Sequence, residues 1–119
     1  PAFIQDAAFF ALNKGSEIEK KVSEPFLRRY ESAQSILNDA KNIKLIPGDG
    51  TMYLMLDIRD TGLSGDEFAN LLLDEKKIAV MPGESFGTAA AGHLRIAMTV
   101  ADDIFQHSLV EIKEFAKNF

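Results

Sequence analysis

Between Ala91 and Thr99 apolar side chains take every second place: Leu94, Ile96 and Met98 alternate with His93, Arg95, Ala97 and Thr99. Strand side chains leave the backbone toward opposite faces in turn, so this stretch reads as a strand with one face on a core and one face left open. Such a strand needs a sheet around it and cover on one side, which excludes an all-helical domain. The one cation on its open face is Arg95. A guanidinium presents a planar fork of donors that fits a carboxylate with two parallel bonds, and the small Ala97 leaves space above it. Alternation by itself favours a plainer reading, in which Arg95 is solvated on the wet side of an antiparallel sheet.

The neighbouring segments show what supplies the cover. Ala2 to Leu12 is a strongly apolar helical pattern carrying Phe3, Phe9 and Phe10, and such a helix demands cover on several sides. With Pro1 in place of an initiator methionine, the expectation is a piece of a longer chain whose remainder packs on these rings. Asn13-Lys14-Gly15 reads as a helix stop and Ser16-Glu17-Ile18-Glu19 as a new start. Pro25 is expected to interrupt that helix, with Ser23 capping a restart whose buried face is Phe26, Tyr30, Ala33 and Leu37. Ile46-Pro47-Gly48-Asp49-Gly50 is a turn cluster leading into Thr51–Ile58, a strand whose two faces both look covered. Ser64 and Glu67 form a capping box for a helix that ends near Lys76 and is backed by Phe68, Leu71 and Leu72. A short strand, Ile78–Met81, stops at Pro82-Gly83. The Arg95 strand follows a Gly/Ala-rich loop and precedes a last helix from about Asp102, capped by Thr99, with Phe105, Leu109, Ile112, Ala116 and Phe119 on its inner face. This order gives an α+β fold (an α/β sandwich): a small mixed, largely antiparallel sheet of about three strands with helices packed on one face.

Composition narrows the function. At 119 residues with 46% hydrophobic residues the chain is one domain with a modest core. A formal net charge of −5 and no dense Lys/Arg run argue against a nucleic-acid partner. There is no apolar run long enough to span a membrane and no secretory leader pattern, so no membrane partner and a cytoplasmic location are expected. Without cysteine, and with His93 and His107 scattered, no metal site is expected. Gly48-Asp49-Gly50 precedes a strand and is a turn, not a dinucleotide fingerprint. Asp102-Asp103 serves a helix dipole better than a metal, and Ser85 has no histidine placed to activate it.

Four segments are similar, in order and spacing, to the C-terminal small domain of class I/II (fold type I) pyridoxal-phosphate-dependent aminotransferases. They are Gly50-Thr51-Met52-Tyr53-Leu54, Thr61-Gly62-Leu63-Ser64, Met81-Pro82-Gly83-Glu84-Ser85-Phe86-Gly87 and Gly92-His93-Leu94-Arg95-Ile96-Ala97. The resemblance implies that residues 1–119 are that single domain, with 1–42 as linker helix and long helix, 43–119 as a β-α-β-β-α unit, and the large cofactor-binding domain outside this chain. It implies that Arg95 holds the α-carboxylate of an amino acid or 2-keto acid. Phe86 and Tyr53 match positions beside the substrate, with ordinary core packing as the competing reading. Glu84 stands where many relatives have a small residue, bringing negative charge to the entrance or facing water, and His93 touches substrate or the other domain, or is simply a solvated or packed histidine. Arg28-Arg29-Tyr30-Glu31 departs from the common Arg-Arg-Asp and belongs to the scaffold. The implied cofactor of the full-length enzyme is pyridoxal 5'-phosphate, whose Schiff-base lysine, ring-pairing aspartate and phosphate-binding groups lie upstream in this family. None of the lysines here sits in the Schiff-base motif, so the fragment is expected to bind no cofactor and to be inactive alone. Its implied partners are the amino acid and 2-keto acid, its own large domain and a second copy in a homodimer. Two other readings stay open: a free-standing module that binds a small carboxylate through Arg95, and an interaction domain whose first helix docks a partner while Arg95 is idle.

Overall fold

Leu54 and Leu56 on one strand face Ile96 and Leu94 on the next, and these four side chains form the floor on which the helices lie. The computed structural model describes residues 1–119. The elements are α1 (Ala2–Lys14), α2 (Ser16–Leu37), β1 (Lys44–Ile46), β2 (Tyr53–Asp57), α3 (Gly65–Lys76), β3 (Met81–Pro82), β4 (His93–Ala97) and α4 (Asp102–Ala116). Single turns of tighter helix occupy Arg59–Thr61, Gly83–Phe86 and Thr88–Ala90. The strands form one open sheet in the order β1-β2-β4-β3, and every pairing is antiparallel. No helix is long and apolar enough to cross a membrane.

The α+β architecture is as read from the sequence, with local differences. The sheet has four strands and no parallel pair. β1 is three residues long, too short to show a period, and it ends on the turn cluster that masked it. Thr51 has φ +80°, a left-handed value that a β-branched residue rarely adopts, so β2 begins only at Tyr53. One face of β2 is buried at Leu54 and Leu56, while Tyr53 and Met55 on the other are half-buried, so the strand is covered on one side rather than two. The expected strand at Ile78–Met81 shrinks to Met81–Pro82; Ile78 and Val80 still pack against the core, but the ladder starts only at Met81.

Helix packing follows the apolar periodicity. Phe68 and Leu72 of α3 and Phe105, Leu109, Ile112 and Phe115 of α4 are buried in one cluster with Ala33 and Leu37 of α2. The Phe68 and Phe115 rings meet edge to face with centroids 5.2 Å apart, and Phe119 closes the group at 5.4 Å from Phe115. Each such side chain contributes about 1.5–3 kcal/mol by leaving water. α2 runs unbroken through Pro25; Ser23 does not cap a restart, and its hydroxyl donates back to the Lys20 carbonyl. The donor that Pro25 lacks would have served the carbonyl of Lys21, an exposed residue that water can reach. Thr99 does not cap α4, whose N-cap is Ala101 with no side-chain bond. Asp102 instead accepts from Arg29 Nε at 2.6 Å, and Arg29 Nη1 also donates to the Met98 carbonyl at 2.6 Å, tying α2 to the end of β4. α1 buries none of its residues, and Phe3, Phe9 and Phe10 are 71%, 70% and 61% exposed.

Candidate functional site

Arg95 stands in the middle of β4, between Met55 of β2 and Met81 of β3. The parity that buries Leu94 and Ile96 sends Arg95 out of the opposite, open face, where it is half-buried. Tyr53 lies opposite Ala97 on β2 and so reaches Arg95 across the diagonal of the ladder; its ring centroid is 4.2 Å from the guanidinium carbon. Phe86 arrives from elsewhere, at the end of the turn that follows β3, and its ring centroid is 4.3 Å from the same carbon. Both contacts lie well inside the range of cation–π attraction. Neither ring belongs to the core cluster, which removes the core-packing reading of Tyr53 and Phe86 and joins the three residues in one place.

The hydrogen bonding of the arginines separates Arg95 from the rest. Arg28 and Arg29 hold Asp102, and Arg59 holds Asp57. Arg95 makes no hydrogen bond and no ion pair, although aromatic rings take the place of part of its water. Rings against a guanidinium leave its in-plane N–H groups as the donors, and a planar anion is the acceptor that suits them.

Acidic groups nearby are already engaged. Asp57 is buried and accepts from the Arg59 backbone amide at 3.0 Å, from Arg59 Nε at 2.9 Å and from Arg59 Nη2 at 2.6 Å. The Arg59 side chain holds its carboxyl far below the usual carboxylate range, against the opposing effect of burial. Glu84 neither faces the entrance nor points to water, contrary to the sequence expectation. Its Oε1 accepts from the amides of Gly65 at 2.9 Å and Gly92 at 3.0 Å, and its Oε2 is buried and takes no donor from the chain. The Gly92 amide is the main reason its carboxyl lies below the ordinary value; burial opposes this and the Gly65 amide adds to it. His93 pairs with Asp57 across the ladder, and its Nδ1 lies 2.9 Å from the Ala91 carbonyl oxygen, so it is packed beside the site. No local signal could have revealed Glu84's role, because its partners are amides 19 and 8 residues away.

A larger concavity of about 720 Å³ lies between α2 and the turn before β2, lined by Phe26, Leu27, Tyr30, Met52 and Met98 among others. Its charged lining residues are Glu24 and Asp49, both anionic, so it repels the ligand that Arg95 would attract. Charge therefore favours the ring-flanked Arg95 over this hollow as the place for an anion.

The sequence profile described as "Aminotransferase class I and II" matches residues 1–111. An arginine–pyruvate transaminase of Pseudomonas aeruginosa is 40% identical over 100 residues, which is 84% of this chain and 25% of that protein. An aromatic-amino-acid aminotransferase of Thermococcus litoralis is 31% identical over 118 residues, covering 97% of this chain and 30% of that protein. Among solved structures, an aromatic aminotransferase from Pyrococcus horikoshii superposes with a TM-score of 0.82 at 33% identity, over 98% of this chain and 31% of the other. The chain thus spans about a quarter to a third of the length of the curated relatives it matches.

Proposed function

Because the chain belongs to the class I and II aminotransferase family, we propose that it is the small domain of a pyridoxal-phosphate-dependent aminotransferase and that Arg95 grips the α-carboxylate of its amino acid and 2-keto acid substrates. The observation that carries this reading is the state of Arg95: a cation with two rings against it and no partner of its own. A carboxylate that meets the free edge of the guanidinium forms two charge-assisted bonds, worth about 1.5–3 kcal/mol, while Tyr53 and Phe86 keep water from its flanks. The substrate is then held by the end that does not react. In this reading the domain is α1 and α2 within 1–42 and the sheet with its two helices within 43–119, closing over a large domain when substrate charge satisfies Arg95.

The residues of this chain do not fit the cofactor itself. An amine that condenses with a carbonyl must give up its proton, but Lys44 and Lys76 are tied to Asp60 and Glu111, which push both to hold their protons more tightly. Lys113 and Lys117 are paired with Asp39 and Glu114. In this reading the lysine that carries the cofactor belongs to the large domain, and the 119 residues alone are expected neither to bind the cofactor nor to transaminate. The uncovered rings of α1 support a place for that domain or for a second copy of the enzyme in a homodimer.

The test is substitution in the intact protein. Arg95→Ala should raise KM for the amino acid and for the 2-keto acid by about 10- to 150-fold, the equivalent of the lost pair. Arg95→Lys, which keeps the charge and loses the fork, should recover only part of this. Unchanged KM values in both variants overturn the reading. Calorimetry of the 119-residue chain with amino and keto acids covers the alternative: saturable binding would identify a free-standing carboxylate module instead.

A further inference from the structure

Glu84 makes no hydrogen bond or ion pair with Arg95, yet its carboxylate joins the segments that carry Phe86 and Arg95. Oε1 bridges the amide of Gly65, the first residue of α3, and that of Gly92, the residue before β4. The Gly65 amide is one of the helix-start donors that no carbonyl of the helix can satisfy, and the Ser64 and Glu67 amides are satisfied by a reciprocal capping box. Oε2 is buried against Gly65, where a Cβ would run into it. Beside it, Gly83 lies so close to the Ala90 carbonyl that it too has no room for a Cβ. The turn is thus pressed onto the base of β4 at two glycines, with a carboxylate between. Phe86 is two residues along the chain from Glu84, and Arg95 is three along from Gly92. The bridge therefore lies close along the chain to both the ring and the guanidinium it faces, beside the Met81–Arg95 pairing of β3 with β4.

We infer that Glu84 is a positioning residue for the carboxylate clamp: by joining the Gly65 and Gly92 amides it fastens the Gly83–Phe86 turn to the foot of β4 and holds Phe86 against Arg95. The inference rests on the reading of Arg95 as the clamp. It depends on the reach of the side chain, since one oxygen must meet two amides. A role through charge, such as a field at the entrance, depends on ionisation and not on reach.

Glu84→Gln keeps the length and an accepting Oε1, whereas Glu84→Asp keeps the charge and shortens the arm. In the intact protein, kcat and KM for both substrates are measured for these variants, for Glu84→Ala and for Arg95→Ala, together with hydrogen exchange at the Gly65 and Gly92 amides. Glu84→Ala and Glu84→Asp are expected to raise KM about two- to fivefold, no more than loss of the Phe86 ring itself, with a smaller change in kcat and faster exchange at both amides, while Glu84→Gln stays within about 1.5-fold of wild type. Where Glu84→Ala does not fold, the Asp and Gln pair carries the test. Wild-type KM in Glu84→Asp beside a raised KM in Arg95→Ala overturns the positioning role and leaves the clamp standing. Impairment in Glu84→Gln with Glu84→Asp near wild type replaces reach by charge and also overturns it. A wild-type KM in Arg95→Ala overturns the clamp and the role of Glu84 with it.

Discussion

Arg59 and Arg95 leave neighbouring segments of the same sheet and are chemical opposites. Arg59 follows β2 and closes on Asp57 two residues earlier, with its backbone amide and two side-chain nitrogens all donating to that one carboxylate. Its charge is used within the chain. Arg95 has no acid within reach and is flanked by Tyr53 and Phe86, which attract a cation but accept none of its hydrogen bonds. A satisfied arginine stabilises; an unsatisfied one that has lost part of its water binds. The contrast teaches that the charge proposed to hold substrate on this face is the one that lacks a partner within the chain.

The largest effect that separates them is reciprocal. Arg95→Ala, the variant with the greatest expected loss of substrate affinity, removes no hydrogen bond of the folded chain and only two cation–π contacts of about 0.5–1 kcal/mol each, so it should cost the intact protein no more than about 1–2 kcal/mol of stability. Asp57→Asn should cost more stability, about 1.5–3 kcal/mol, because the bonds to Arg59 lose their charge assistance and the Oδ2 acceptor, while leaving both KM values unchanged. Differential scanning calorimetry and steady-state kinetics on the two variants check this together. A raised KM in Asp57→Asn would mean that the two arginines are not independent.

A smaller effect is the pH dependence of that stability. The folded carboxyl of Asp57 lies below its unfolded value, so its contribution is fully present above the ordinary carboxylate range. It fades as pH falls below about 4, where the unfolded chain takes up protons that the folded one refuses, and it is gone only below the folded value. The stability gap between wild type and Asp57→Asn should therefore narrow steadily in urea titrations from pH 5 to pH 2. A gap independent of pH would assign the Asp57 contribution to packing.

What the sequence disclosed about these two sites was governed by distance along the chain. β4 was legible because alternation is a local signal, and Arg95 stood out on it; the Ser64–Glu67 capping box was legible for the same reason. The Asp57–Arg59 pair lies two residues apart and is just as local, but it sits at the end of the apolar run of β2, which dominates the pattern there. Thr99 and Glu84 failed differently, because a distant partner outcompeted the local rule. Asp102 is held by Arg29, 73 residues away, and Glu84 turns inward to amides that only the folded chain brings together. Four short segments in register carried the family resemblance, but none of them shows that Tyr53 and Phe86 meet on one guanidinium.

The smallest expected effect tests whether the rings belong to the comparison. If Tyr53 and Phe86 only fill space, replacing either by leucine should leave Arg95 as it is. If they hold the guanidinium and keep water from it, each replacement removes a cation–π contact of about 0.5–1 kcal/mol, which raises KM about two- to fivefold for both substrates. Tyr53→Phe keeps the ring and should match wild type, so the hydroxyl serves as an internal control. The same leucine substitutions should leave the Asp57–Arg59 pair untouched, because that pair draws on oxygen atoms and not on rings. An equal loss in Tyr53→Phe and Tyr53→Leu would move the contribution from ring to hydroxyl, and Arg95 would then differ from Arg59 by the absence of an acid alone.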